Sequence, residues 1–245
     1  IGYFDRSLGL GQYNRQTKAD ALYWRGEAYY RLNRMEEAKR NFTDYLQLTQ
    51  QTHNEMYALA HYNLGYNAFH QKDYTQAQNW FRKYISLEKG ENKTALADAY
   101  NRIGDCYLDV RNFDEAKHYY SQAEAMNTPS GDYSFYQLAL VSGLQKDYSG
   151  KITLLNRLAG KYPASPYAIS AIYKKGRSYV LMDNNQQAIA SFKELLAKYP
   201  ESPVSRKAAA EIGLLYYQNE DYDQAINAYK QVVQKYPGSD EARLA

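Results

Sequence analysis

A pentapeptide that returns on a fixed beat constrains this chain more than any other feature. KYPAS spans Lys161 to Ser165, KYPES spans Lys198 to Ser202 and KYPGS spans Lys235 to Ser239, each copy 37 residues after the last. A second signature recurs along the chain: a Gly, an Ala 12 residues on, and an aromatic 4 residues after that. It reads Gly26, Ala38, Phe42; Gly65, Ala77, Phe81; Gly104, Ala116, Tyr120; Gly176, Ala188, Phe192; and Gly213, Ala225, Tyr229. Between the third and fourth of these lies a degenerate copy, with Ala139 in the Gly column, Lys151 in the Ala column, Leu155 in the aromatic column and Pro163 closing it. Successive Gly-column residues are 39, 39, 35, 37 and 37 apart. Six units of near-equal length follow, and such a chain stacks its copies rather than wrapping one thick core.

Each unit reads as two helices. In the last one Ala209, Ile212, Gly213 and Tyr216 recur at helical spacing, and after the turn Asn219-Glu220-Asp221-Tyr222 so do Ala225, Ile226, Tyr229 and Val232. No segment keeps a period of two. The Gly and Ala columns suit a close crossing of the paired helices, with the aromatic filling the space beside it. All six prolines (Pro129, Pro163, Pro166, Pro200, Pro203, Pro237) fall at unit junctions. In KYPASP and KYPESP the first Pro ends one helix, Ser165 or Ser202 is placed to cap the next, and Pro166 or Pro203 suits its first turn.

The pattern predicts an all-α solenoid, a right-handed superhelix, with boundaries at about 19–57, 58–96, 97–131, 132–168, 169–205 and 206–239 inside a repeat region of 17–239. Residues 1–16, with Tyr3, Phe4, Leu8 and Tyr13, read as the second helix of an earlier unit, and 240–245 as the start of a further helix cut short. Both ends read as those of a piece excised or processed from a longer protein. Lys151 in an Ala column and Gly143 inside a first helix predict a change of pitch or a hinge near 127–151.

Among the 245 residues 28 are Tyr, against 7 Phe and 2 Trp. A ring with a polar tip suits thin helical layers whose core lies close to water. Lys plus Arg exceed Asp plus Glu by 30 to 27, with no block of like charge, which argues against nucleic acid as the partner. No apolar stretch approaches a membrane span. Cys106 stands alone and forms no internal disulfide; it reads as a small packed residue, with a reactive thiol as the alternative. His53, His61, His70 and His118 lack chelating spacing. No nucleophile elbow, phosphate loop or metal-protease motif is present, and Gly9-Leu10-Gly11 lacks the rest of a dinucleotide loop. The expectation is a non-enzyme with no cofactor and no metal.

A helix-turn-helix unit with a small residue, then Ala, then an aromatic, then Pro resembles the tetratricopeptide repeat family over about residues 19 to 239. Its first column is held here by Leu22, His61, Tyr100, Phe135, Ile172 and Ala209 instead of Trp. The KYPxSP junctions over 161 to 239 look like those of bacterial envelope members, the outer-membrane assembly lipoproteins and the periplasmic Tol-Pal coordinator. That resemblance implies a periplasmic or outer-membrane-associated protein, with a cytoplasmic one as the alternative. The family implies a scaffold whose first helices line a concave surface that recognises protein or peptide partners. Its best-known ligand mode, a Lys-Asn-Arg clamp on an acidic peptide terminus, does not carry over, because Tyr23 and Glu27 stand where Lys and Asn are needed.

Mapped onto this sequence, the concave face takes residues three before, one after and four after each Gly column. It comprises Tyr23, Glu27 and Tyr30; Tyr62, Tyr66 and Phe69; Asn101, Asp105 and Leu108; Tyr136 and Leu140; Tyr173, Arg177 and Val180; and Ala210, Leu214 and Tyr217. Aromatic tips give contact area at low entropic cost, which suits peptide recognition. The plainer reading is that Tyr is this chain's packing residue. Glu27, Asp98, Asp105 and Asp109 make the first three units acidic and Lys174, Lys175, Arg177 and Lys207 make the last two basic, which would orient a partner, unless these are scattered solvated charges. The resulting expectation is a non-catalytic interaction scaffold; the alternative is a spacer that sets the distance to another domain.

Overall fold

In a computed structural model that describes residues 1–9, 14–53 and 56–245, the described residues form fourteen helices and no strand. They divide into two compact units, Ile1–Gly131 and Asp132–Ala245. The first holds α1 (Gly2–Gly9), α2 (Arg15–Arg31), α3 (Met35–Thr49), α4 (Met56–His70), α5 (Tyr74–Leu87), α6 (Lys93–Asp109) and α7 (Phe113–Ala125). Here α2 lies on α3, α4 on α5 and α6 on α7, and the pairs stack through α3 on α4 and α5 on α6. The second holds α8 (Gly131–Leu144), α9 (Tyr148–Lys161), α10 (Ala168–Val180), α11 (Asn185–Lys198), α12 (Pro203–Gln218), α13 (Tyr222–Lys235) and the short α14 (Asp240–Leu244). It repeats the scheme, with α9 on α10, α11 on α12, and α8 and α9 sharing a core of Phe135, Ala139, Leu155 and Leu158.

The small-residue columns explain the closeness of each pair. A methyl group built on Gly26, Gly65, Gly104 or Gly213 would stand 2.6 to 2.9 Å from the ring of Phe42, Phe81, Tyr120 or Tyr229, and one on Gly176 would run into Phe192. Each ring therefore packs directly against the bare backbone of the facing helix, where any side chain would push it away. Ala38, Ala77, Ala116 and Ala188 are fully buried beside these crossings. The degenerate unit solves the same problem with the volumes exchanged: buried Ala139 carries the methyl and buried Leu155 replaces the ring.

Each turn from first to second helix has one residue in left-handed conformation: Asn33, Lys72, Arg111, Lys146, Asp183 and Glu220, with φ between 55° and 63°. The next residue's N–H reaches back to a carbonyl five residues earlier, as in Asp73 to Ala68 and Asp147 to Ser142, closing the helix with a Schellman-type bond. The side chains of Asp73, Asn112, Asp147, Asn184 and Asp221 then accept from the N–H three residues on and start the second helix. The fourth unit keeps this turn although its core columns differ.

At the junctions, Ser202 accepts from the Val204 N–H with Pro203 in the first turn of α12, as the sequence predicts. Ser165 departs from that expectation. Its hydroxyl donates to Asp132 Oδ2 at 2.7 Å and accepts from the Tyr167 N–H, so Pro166 and Tyr167 form a turn and α10 begins only at Ala168. Toward the chain start α1 ends at Gly9 with Leu8 against the first core, while Leu10, Gly11 and Tyr13 lie outside the described residues.

Cys106 is fully buried in α6, and burial, then Asp105, pushes its thiol up to about 12. A buried protonated thiol is a poor nucleophile. Iodoacetamide is expected to leave Cys106 unmodified in the native chain and to alkylate it at the rate of a free thiol in urea; comparable rates in both conditions would contradict this packing.

Candidate partner-binding face

Residues three before and one after the Gly column sit one helical turn apart, so their tips converge. In the first unit Tyr23 and Glu27 of α2 both meet Asn63 of α4, whose side-chain amide donates to the Tyr23 hydroxyl at 3.1 Å and to Glu27. One repeat later Tyr62 and Tyr66 of α4 both donate to Oδ2 of Asp98 in α6, Tyr62 at 2.8 Å. In the second unit Tyr173 and Arg177 of α10 both reach Glu211 of α12, and the guanidinium binds the two carboxylate oxygens at 2.7 and 2.9 Å. Tyr136 of α8 instead stacks on Tyr167 at 4.6 Å, with the Lys174 ammonium 5.9 Å over its ring. These contacts are bridges: the tips that the sequence assigns to a ligand are spent on the next repeat.

The bridges in the first unit extend into a network. Asp98 also faces Arg102, which pairs with Asp105 at 2.7 Å and lies over the Phe69 ring, while Asp105 accepts from the Tyr120 hydroxyl at 2.7 Å. Tyr62, Tyr66, Phe69 and Asp105 thus belong to one assembly through Asp98 and Arg102. Burial, and then Asp98, hold the Tyr62 and Tyr66 phenols protonated well above their ordinary range. Tyr23 and Tyr30 are each pushed up to about 12 by burial and then Glu27. Tyr30 also packs edge-on against His70.

Of the twelve site residues singled out by the sequence, Tyr23 and Asn101 are 5% and 2% exposed and offer almost no surface, whereas Tyr217 is 59% exposed. Tyr217 stands against Tyr222, near exposed Leu214. Leu214 lines a cleft of about 310 Å³ with Tyr173, Lys207, Ala210, Glu211 and Tyr229. The charge pattern is largely neutralised within each unit, since Arg177 pairs with Glu211, Lys175 with Glu194 at 2.8 Å and Asp105 with Arg102. Sequence reasoning missed Asn63 and Glu211, which lie two before a Gly column in the next repeat; only the stacking of neighbours places them on this face.

His61 is buried, its Nδ1 2.9 Å from the Tyr57 carbonyl, and burial holds its pKa below the usual imidazole value. Among the described residues no group of three His, Cys, Asp or Glu side chains is placed to hold a metal, and no helix is long and apolar enough to cross a membrane.

Comparison with known families agrees with the bare-backbone crossings. Tetratricopeptide repeat models match residues 101–166 and 173–244, residues 58–128 and residues 20–48. The chain belongs to the tetratricopeptide repeat family. Its fold is similar to that of PilF from Pseudomonas aeruginosa, at 19% identity and a TM-score of 0.60 over 94% of this chain and 97% of that one. It is also similar to YrrB, described as a tetratricopeptide repeat protein with an unusual peptide-binding site, at 18% identity and a TM-score of 0.59 over 83% and 96% of the two chains. PilW, a widely conserved type IV pilus biogenesis factor, gives 18% and 0.58 over 92% and 97%. No curated protein sequence matches. Members of this repeat family are in general scaffolds for protein partners.

Proposed function

We propose that the first-helix face is the concave partner-binding surface, holding a peptide segment or partner subunit without chemistry. The observation that carries this is the bridging itself. Tyr62, Tyr66, Tyr173 and Arg177 are fixed by the next repeat, so the partly exposed rings and apolar side chains beside them are ordered before a partner arrives. A surface already ordered loses less entropy on binding. The peptide-binding site of YrrB supports the reading by analogy of fold. An envelope setting is part of the proposal, supported by the KYPxSP junctions and by the likeness to a pilus biogenesis factor. The same bridges also favour a second reading, a stiff spacer with no ligand of its own.

Capture from the native organism's envelope fraction separates the two. Tyr217→Ala and Leu214→Ser remove exposed groups and leave the fold intact, so a partner held on this face is expected to be retained at least about tenfold less well by the double variant, the loss typical of a central aromatic anchor. No specific partner at all would leave the spacer reading, and equal retention by the wild type and the variant would place the partner elsewhere than on this face.

A further inference from the structure

Lys151 occupies the column that elsewhere holds fully or almost fully buried alanine, and its stem has somewhere to go because Gly143 is opposite. Lys151 Cδ and Nζ lie 3.0 and 3.2 Å from where a Gly143 methyl would stand. Gly143 is four residues past the Gly column, the place held in the other repeats by Tyr30, Phe69, Leu108, Val180 and Tyr217. The ammonium therefore fills a first-helix face position from behind, delivered by a second helix. Two more cations bear on it, Lys174 and Arg177, and both disfavour its charge, as does burial before either. Among the described residues no carboxylate pairs with either lysine of this cluster. Arg177 and Tyr173 already hold Glu211.

We propose that Lys151 and Lys174, with Gly143 making room between α8 and α9, form a subsite for the carboxylates of an acidic segment of the partner protein. The inference rests on the face reading above and names the chemistry of one part of it. A half-buried ammonium without a counter-charge destabilises the empty protein, and an arriving carboxylate relieves that cost while gaining a charge-assisted bond in a partly dried site. Lys174, held over the Tyr136 ring, offers the second point of attachment. The geometry differs from a clamp of first-helix residues alone, since its main cation comes from a second helix.

The test uses the full chain with labelled hexaglutamate, followed by fluorescence anisotropy at low salt, and with inorganic phosphate in a parallel titration. Lys151→Met keeps the stem and removes the charge; it is expected to weaken hexaglutamate binding about tenfold and to flatten its salt dependence. Lys174→Met is expected to weaken it less. Lys151→Ala restores the residue found in the other repeats and is expected to fold at least as stably as the wild type, so weak binding by that variant is not a folding defect. Unchanged hexaglutamate affinity in Lys151→Met overturns the proposal. So does phosphate binding through Lys151 by a chain that ignores hexaglutamate. A chain that holds its partner through Tyr217 and Leu214 yet ignores hexaglutamate removes this subsite and leaves the face reading standing.

Discussion

Gly65→Val in α4 is expected to cost about 3 kcal/mol of stability, read as a lower urea midpoint with an unchanged slope. The added carbon would enter at 2.7 Å from two atoms of the Phe81 ring, which is fully buried. Gly65→Ala sharpens the argument because two effects oppose one another. Alanine in a helix interior gains about 1 kcal/mol over glycine, whereas forcing a methyl into a filled core costs about 1–3 kcal/mol. The overlap wins here, and a net loss of about 1 kcal/mol is expected. With Phe81→Leu already in place the sign reverses: the ring is gone, and Gly65→Ala is then expected to stabilise by about 1 kcal/mol. The coupling of the two sites is about 2 kcal/mol. The fourth repeat supplies the precedent, since Ala139 faces Leu155 there and both are buried. Stabilisation by Gly65→Ala in the wild-type background would mean that the crossing does not depend on bare backbone.

The features legible in the sequence were those set inside one repeat. Gly65, Ala77 and Phe81 meet because their spacing and the hairpin put them together, so one unit's pattern suffices. The turns were legible only as polar stretches. Lys72, Arg111, Lys146 and Glu220 take the left-handed conformation without being Gly or Asn, because the Schellman bond and the packed helices on both sides hold them there. The site was legible as a face and not as an assembly. Tyr62 and Tyr66 were recognisable from their column, but their common acceptor Asp98 and the burial of Tyr23 and Asn101 depend on how one repeat rotates onto the next, which no single-repeat pattern encodes. Lys151 stood out as an exception in its column. Where its ammonium emerges depends on the place of Gly143 on the facing helix, which the repeat pattern does not encode.

Raising the pH above the ordinary tyrosine pKa is expected to unfold the first unit cooperatively by about pH 12. Tyr23 moves from 10.0 to about 12, because burial and then Glu27 disfavour a phenolate there. In the unfolded chain the same group ionises at its ordinary value. Below pH 10 both states keep the proton and nothing is lost; above it only the unfolded state releases the proton, and its free energy falls until the folded pKa is reached. Across that window Tyr23 alone removes about 3 kcal/mol. Tyr62, Tyr66 and Tyr84 are pushed higher still, by burial first and then by Asp98 or Glu88, and lie in the same unit. A native stability of about 5–15 kcal/mol does not survive the sum. Far-UV circular dichroism and tyrosinate absorbance should change together. Tyr62→Phe combined with Tyr66→Phe separates this cause from deprotonation of lysines. At neutral pH that variant is expected to lose about 2 kcal/mol, since Asp98 gives up two donors, yet its stability should fall less steeply with pH, by about two protons per molecule. An identical slope in variant and wild type would assign the alkaline transition to the lysines and not to the buried phenols that join one repeat to the next.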